Sequence, residues 1–249
     1  MPLERISVEV TNRCNRACPF CYNRSGPAGE TRWTPGALCD FVRDCAANGV
    51  RSVGFGGGEP LLFEGLWDVL RRLDGALFRS VTSNGEALAH GAVFDALVAA
   101  RPDKVHLSIH DPADEGEVAR AIARVTALAD AGVTSGINLL VARSQLEAAA
   151  RVAGRLRSAG IDNRRILYLP RRLGDTPDPG EVAAVAGRAG PFQSPSCLLR
   201  CEPSERFCTV RWDRTVAWCS YTRSRRPLGR LDHRGLAEAL CGLALEPCG

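Results

Sequence analysis

Residues 5–21 read R-I-S-V-E-V-T-N-R-C-N-R-A-C-P-F-C, a short apolar strand followed at once by three cysteines, Cys14, Cys18 and Cys21. Three thiolates with no fourth at matching spacing can hold an iron–sulfur cluster and leave one iron open for chemistry. Structural zinc is the competing use of close cysteines, but such sites are closed by four ligands, typically as two pairs, and no fourth Cys or His lies nearby. Disulfide pairing is the other alternative. The chain has eleven cysteines, an odd number, and no apolar signal core precedes the first strand, so the expected compartment is reducing and cytoplasmic.

Outward from this stretch, short strand-like runs alternate with longer amphipathic or Ala-rich segments. Strands are predicted at residues 5–10, 52–55, 78–83, 104–110, 135–141 and 165–169, with helices at 34–48, 63–73, 90–99, 115–131 and 145–159. Thr34-Pro35 reads as a cap and a first-turn proline, and Gly49, Gly132 and Gly160 fall where helices should stop. Alternation of this kind implies parallel strands joined by crossover helices. The expected fold class is therefore α/β, a partial (β/α)6 TIM-like barrel over residues 1–170. A Pro- and Gly-containing linker is expected over 171–196, and a small C-terminal cysteine-rich extension over 197–249 with a β-hairpin around Trp212-Asp213-Arg214-Thr215.

At 249 residues the chain suits one large α/β domain, with or without a small appendage. Hydrophobic residues make up 45% and charged residues 24%, ordinary globular usage, and no apolar run approaches the length of a membrane span. The net charge of +4 comes from dispersed arginines with small clusters at Arg164-Arg165, Arg171-Arg172 and Arg223 to Arg226. No aromatic-interleaved basic motif accompanies them, so neither a membrane nor a nucleic acid is an expected partner.

In such a fold the loops after the carboxyl ends of the strands build the active site. The unusual residues fall there: the three cysteines after the first strand, Gly56-Gly57-Gly58-Glu59-Pro60 after the second and Thr82-Ser83-Asn84-Gly85 after the third. On the fourth strand, alternation puts His106, Ser108 and His110 on one face and Val105, Leu107 and Ile109 on the other, which suggests a polar cavity.

C-x3-C-x2-C, G-G-E-P and T-S-N-G in this order and strand context resemble the radical S-adenosylmethionine (radical SAM) enzymes over roughly residues 6–169. The resemblance implies that Cys14, Cys18 and Cys21 bind three irons of a [4Fe–4S] cluster whose fourth iron is chelated by S-adenosylmethionine. Reductive cleavage then gives methionine and a 5′-deoxyadenosyl radical that abstracts hydrogen from an unactivated C–H bond. The electron implies a flavodoxin- or ferredoxin-type reductant. Phe20 resembles the family's aromatic beside the adenine, with core packing as its alternative, and Gly57, Gly58, Glu59 and Pro60 resemble the stretch that meets the methionine amino group. Ser108 and Arg120 resemble a pair that binds the methionine carboxylate, although Arg120 could equally be a solvated helix residue; Asn138 is a candidate ribose contact.

The tail carries Cys197, Cys201, Cys208, Cys219, Cys241 and Cys248. Cys201-x17-Cys219 resembles the start of the twitch or SPASM extension, which binds auxiliary iron–sulfur clusters. The pattern has Gly five residues before the second cysteine, where this chain has Arg214. One auxiliary cluster on Cys201, Cys219, Cys241 and Cys248 is expected, with Cys197 or Cys208 as replacements and structural zinc on the same thiolates as the alternative. Cys39 and Cys45, on the first helix, are expected to be buried small hydrophobes.

These readings imply a radical SAM oxidoreductase in natural-product biosynthesis that oxidises a small sugar- or cyclitol-like molecule, the substrate radical passing its electron to the auxiliary cluster. His110, Arg165 and Tyr168 are the candidate bases for the accompanying proton. Crosslinking or epimerisation of a ribosomally made peptide is the second reading, with Cys208 as a candidate hydrogen donor. An activase for a glycyl-radical enzyme and a non-catalytic iron–sulfur or zinc module complete the set.

Overall fold

The computed structural model describes residues 3–172, 174–188 and 201–247. Two compact units are present, Met1–Ser83 with His90–Asp103 and Pro203–Cys248, and Asn84–Ala89 with Lys104–Glu202. The expected α/β class is observed, and each of the six predicted strands is followed by a helix.

The first unit is built on β1 (Arg5–Thr11), β2 (Ser52–Gly57) and β3 (Phe78–Ser83), paired in parallel with Ile6 opposite Val53 and Val8 opposite Phe55. Strand alternation divides β1 cleanly. Ile6, Val8 and Val10 point to one buried apolar face, and Ser7, Glu9 and Thr11 to the other. The connecting helices are α1 (Pro35–Ala47), α2 (Leu66–Arg72) and α3 (Gly91–Ala99). Thr34 caps α1 by accepting from the Ala37 amide at 3.2 Å, Pro35 occupies the first turn, and Gly49 beyond the end takes φ 103°. That helix buries Leu38, Phe41, Val42 and the two cysteines expected to act as hydrophobes, Cys39 and Cys45. Fully burying a side chain such as Phe41 contributes roughly 2–3 kcal/mol.

The cysteine-rich tail from Pro203 onward joins this same unit. β7 (Phe207–Val210) runs parallel to β1, with Ile6 opposite Cys208 and Val8 opposite Val210, and forms the predicted hairpin with β8 (Thr215–Ala217). A short β9 (Arg226–Pro227) pairs with β8, and α7 (His233–Leu240) follows, its amino end capped by Asp232. The hairpin turn places Arg214 at φ 63°. Glycine reaches this left-handed region without strain. Here arginine adopts it, with its guanidinium 5.2 Å over the Trp33 ring and donating to the Arg32 carbonyl. The departure from the glycine pattern therefore preserves the turn, and Asp213 closes it by accepting from the Thr215 amide and hydroxyl at 3.0 and 2.7 Å.

In the second unit β4 (Lys104–Ile109), β5 (Ser135–Val141) and β6 (Ile166–Pro170) are parallel neighbours, linked through α4 (Glu115–Asp130) and α5 (Leu146–Ser158). β4 stops one residue before the predicted end because the His110 amide donates to the buried Glu117 carboxylate at 2.9 Å. β6 starts one residue late because the Arg165 amide closes a turn onto the Asp162 carbonyl. The expected linker contains a helix, α6 (Pro179–Val185), held by a capping box between Asp178 and Glu181. Its proline is a first-turn residue. Among the described residues no helix is long and apolar enough to cross a membrane.

Candidate active site

The loop leaving β1 makes a long excursion and returns to its own base. The Thr11 hydroxyl and the Asn12 amide donate to the Glu30 carbonyl at 3.1 and 3.0 Å, and the Cys14 amide donates to the Gly26 carbonyl at 2.9 Å. Within this ring the Cys21 amide donates to the Cys18 carbonyl, so the last two cysteines share one tight turn. Two of the sulfurs already accept backbone N–H groups, Cys14 from Arg16 and Cys21 from Ser25, each at 3.4 Å. Burial raises the Cys14 thiol above its ordinary range, with Glu59, Cys18 and Cys21 near enough to add to it. Phe20 is half-buried beside them.

The glycine-rich turn after β2 locks onto the start of that loop. The Gly58 and Glu59 amides donate to the Thr11 and Arg13 carbonyls at 2.7 and 2.8 Å. A Cβ on Gly58 would lie 2.2 Å from the Arg13 oxygen, and one on Gly57, at φ 113°, would lie 2.4 Å from the Thr11 oxygen. Close backbone approach is thus the reason for both glycines, and the partner is the chain just before Cys14. Glu59 is fully buried. Its Oε1 accepts from the Leu61 amide at 3.0 Å, where Pro60 opens a short turn, and from the Ser83 hydroxyl at 2.8 Å, so the second and third motifs meet on one carboxylate.

In the second unit Ser108 pairs with Asn138 across β4–β5 and both are buried on the same polar face. His106 shares that face, lying against Gly136, where a Cβ would come within 2.7 Å of its Nε2. Burial, reinforced by Lys104, lowers its pKa to about 4, so it is neutral at pH 7. His110 sits just past the carboxyl end of β4, part-exposed, its Nδ1 3.6 Å from Glu117. Arg120 is more than half exposed on α4 and lies 3.9 Å from Asp114.

Two predicted bases are placed elsewhere. Tyr168 follows Leu139 in register onto the apolar face of the sheet, fully buried, its hydroxyl donating to Asn163 at 2.7 Å. Leu167, not Tyr168, shares the face of Asn138. Arg165 lies at the amino end of β6, donating to the Ser135 carbonyl and hydroxyl at 2.8 and 3.2 Å, away from the carboxyl ends of β4–β6.

The radical SAM superfamily model matches residues 8–172. The chain belongs to this superfamily. Curated relatives include a probable GTP 3′,8-cyclase of Methanosarcina mazei, 32% identical over 145 residues, covering 52% of this chain and 42% of the relative. Another of the same name from Metallosphaera sedula is 28% identical over 180 residues, covering 68% and 56%. The chain thus spans less than two thirds of these relatives. Among solved structures, SuiB of Streptococcus suis bound to its precursor peptide SuiA aligns with a TM-score of 0.70 at 13% identity over 88% of this chain and 60% of that one. The enzyme anSMEcpe with bound S-adenosylmethionine and a peptide aligns at 0.64 and 15% identity over 96% and 83%. At these identities the two structures speak for the shared fold.

The radical SAM donor set fits its cluster. Three thiolates from one loop, two already accepting N–H groups at sulfur, suit a [4Fe–4S] unit, in which each thiolate takes a different iron. Among the described residues no three His, Cys, Asp or Glu side chains converge as a single bound ion requires, which a cluster does not need. When bound, such a cluster would supply the electron for cleavage of S-adenosylmethionine. Cys14, Cys18 and Cys21 would hold it, and the Gly57–Pro60 turn fixes the loop that carries them.

In the tail, Trp218, next to Cys219, donates from its indole nitrogen to the Leu243 carbonyl at 2.8 Å. Cys201 is exposed, and Cys197 and Cys248 lie outside the described residues. Cys208 is fully buried beside Cys45, and burial pushes its thiol pKa far up.

The polar face of β1 adds a residue absent from the predicted set. Glu9 is 1% exposed. Its Oε2 accepts from Arg211 Nε at 3.3 Å, and the same guanidinium donates from Nη2 to Asn23 at 2.7 Å. Burial raises the Glu9 pKa to about 7 against the opposing pull of Arg211 and Arg225. The alternation that marks His106 and Ser108 also marks Ser7 and Glu9, and was the available signal.

Proposed function

We propose that this radical SAM enzyme abstracts hydrogen from a hydroxyl-bearing small molecule, such as a sugar or cyclitol, and oxidises the resulting radical to a carbonyl. The observation that carries the reading is the Cys14–Cys21 loop clamped by the Gly57–Pro60 turn in one unit with the tail cysteines Cys208, Cys219 and Cys241. The substrate C–H hydrogen goes to the 5′-deoxyadenosyl radical, the hydroxyl proton to a base, and one electron to an oxidised iron–sulfur cluster held by tail cysteines that include Cys219 and Cys241. Support for that electron route lies where the two cysteine regions touch: Tyr22, next to Cys21, packs on Tyr221, two residues past Cys219, with ring centroids 5.0 Å apart. A flavodoxin- or ferredoxin-type protein supplies the initial electron.

Anaerobic reconstitution and reduction with S-adenosylmethionine should yield 5′-deoxyadenosine and methionine. Iron and sulfide should correspond to two clusters, falling to one in Cys219→Ser while the bound S-adenosylmethionine is still cleaved. An intact first cluster that forms no 5′-deoxyadenosine would overturn the radical reading. Zinc in place of iron on the tail would overturn the oxidation.

A further inference from the structure

The polar face of β1 leaves several buried hydrogen-bonding atoms unused in one place. Among the described residues, Glu9 Oε1, Asn23 Nδ2 and Arg225 Nη1 are buried without a hydrogen-bond partner. The first two are the far atoms of side chains whose near atoms accept from the Nε–Nη2 edge of the one Arg211 guanidinium, so the two side chains lie next to each other along it. Arg225 is anchored through its other terminal nitrogen to the Ser220 carbonyl at 2.6 Å, close enough to Glu9, Asp213 and Tyr22 to feel their charge. Leaving such atoms unpaired costs about 1–3 kcal/mol each, so something with matching groups belongs there. Space is available: Gly56 lies opposite Glu9 in the β1–β2 register, and a Cβ added to it would meet nothing within 4 Å.

The chemistry of the occupant follows from the unused valences. Asn23 and Arg225 offer donors, and Glu9 offers an acceptor. A hydroxyl answers both, with two lone pairs and one proton on one atom. Above pH 7, where Glu9 is ionised, the charged groups balance, two guanidiniums from Arg211 and Arg225 against the carboxylates of Glu9 and Asp213, so the occupant need bring no charge. We propose that Glu9, Asn23 and Arg225, facing the open space at Gly56, form a subsite that anchors a neutral hydroxyl group of the substrate. The subsite lies on the strand that leads directly into the Cys14–Cys21 loop. It rests on the reading of the chain as an enzyme acting on a hydroxyl-bearing molecule, and it gives that molecule its first named contacts.

Equilibrium dialysis of the anaerobically reconstituted chain at pH 8, where Glu9 is ionised, against labelled myo-inositol tests it, with inorganic phosphate as the charged comparison. Saturable inositol binding is expected, weaker by about tenfold or more in Glu9→Gln, as loss of a bond to a charged group implies. Arg225→Met should weaken it similarly and serves if the first variant does not fold; Gly56→Leu should block it by filling the space. Absence of inositol binding, tighter binding of phosphate, or binding that ignores these substitutions because the cluster holds only water would each overturn the subsite. Formation of 5′-deoxyadenosine by the unmodified chain is read in parallel. Cleavage without inositol binding sinks the subsite alone, whereas inositol binding without cleavage sinks the radical reading alone.

Discussion

The two units each turn a polar strand face away from an apolar one, and they fill it with opposite chemistry. In the first, Glu9, Arg211 and Arg225 bring charge into a buried place, and the carboxylate takes a proton near pH 7. In the second, Ser108, Asn138 and His106 are buried and uncharged at neutral pH, because burial keeps His106 from protonating until about pH 4. One face is thus suited to proton exchange and anchoring near neutral pH, while the other offers neutral hydrogen bonds only. Desolvation drives both shifts and disfavours the charged form in each; it raises an acid and lowers a base.

The largest expected effect concerns what the first unit alone contains. Cys14→Ala should abolish both cluster assembly, read by iron content and visible absorbance, and 5′-deoxyadenosine formation, whereas Asn138→Ala should retain the cluster. Equal loss of iron in the two variants would erase the distinction.

A matched pair of glycines comes next. Gly58→Ala forces a Cβ toward the Arg13 oxygen and Gly136→Ala toward the Arg165 oxygen, at 2.2 and 2.4 Å. Each should cost about 3 kcal/mol by denaturant unfolding, the upper range for overpacking. Only Gly58→Ala should also impair cluster retention, because its clash is with the backbone leading into Cys14.

The pH response separates the faces by sign. Glu9 is protonated in the folded chain up to about pH 7 but ionises near 4.5 when unfolded, so its contribution is fully present below 4.5 and fades by roughly 3 kcal/mol as pH rises to 7. His106 does the reverse: unfolded it protonates near 6.5, folded only near 4, so its contribution is lost by a similar amount as pH falls between those values. Relative to the parent, Glu9→Gln should gain stability as pH rises from 4.5 to 7, and His106→Leu should gain it as pH falls from 6.5 to 4. Denaturant midpoints across pH 4–8 read both, and parallel curves for variant and parent would refute the assignment.

The smallest effect is at the hairpin turn. Arg214→Gly relieves a left-handed residue by roughly 1 kcal/mol and forfeits a similar amount of stacking on Trp33. Its midpoint should therefore move little, while Arg214→Ala, which keeps the strain and loses the stacking, should be about 1 kcal/mol less stable than the parent. Thermal melts of the two variants would show whether arginine holds the turn by its side chain.

Much of this was legible because it is local. Strand alternation and helix caps depend on residues within a few positions of one another, which is why the ends of α1 and the polar face of β4 follow from Thr34, Gly49, His106 and Ser108. The same rule, applied evenly, separates Arg165 from Tyr168, since residues three apart on an extended chain alternate to opposite faces. Helix α6 was obscured by its own Pro179 and Gly180, which read as linker until the Asp178–Glu181 capping box is recognised.

By itself the sequence determined the chemistry class, since Cys14, Cys18 and Cys21 are bound to one short loop by covalent spacing alone, and it determined the order of strands and helices through local periodicity. Tertiary structure decided that residues 203–247 complete the first unit, that Cys208 is core, and that Glu9 meets an arginine 202 positions later. The reason is physical: strand register brings distant side chains onto one face, and the burial that results, rather than the residue type, sets which of them carries a proton at neutral pH.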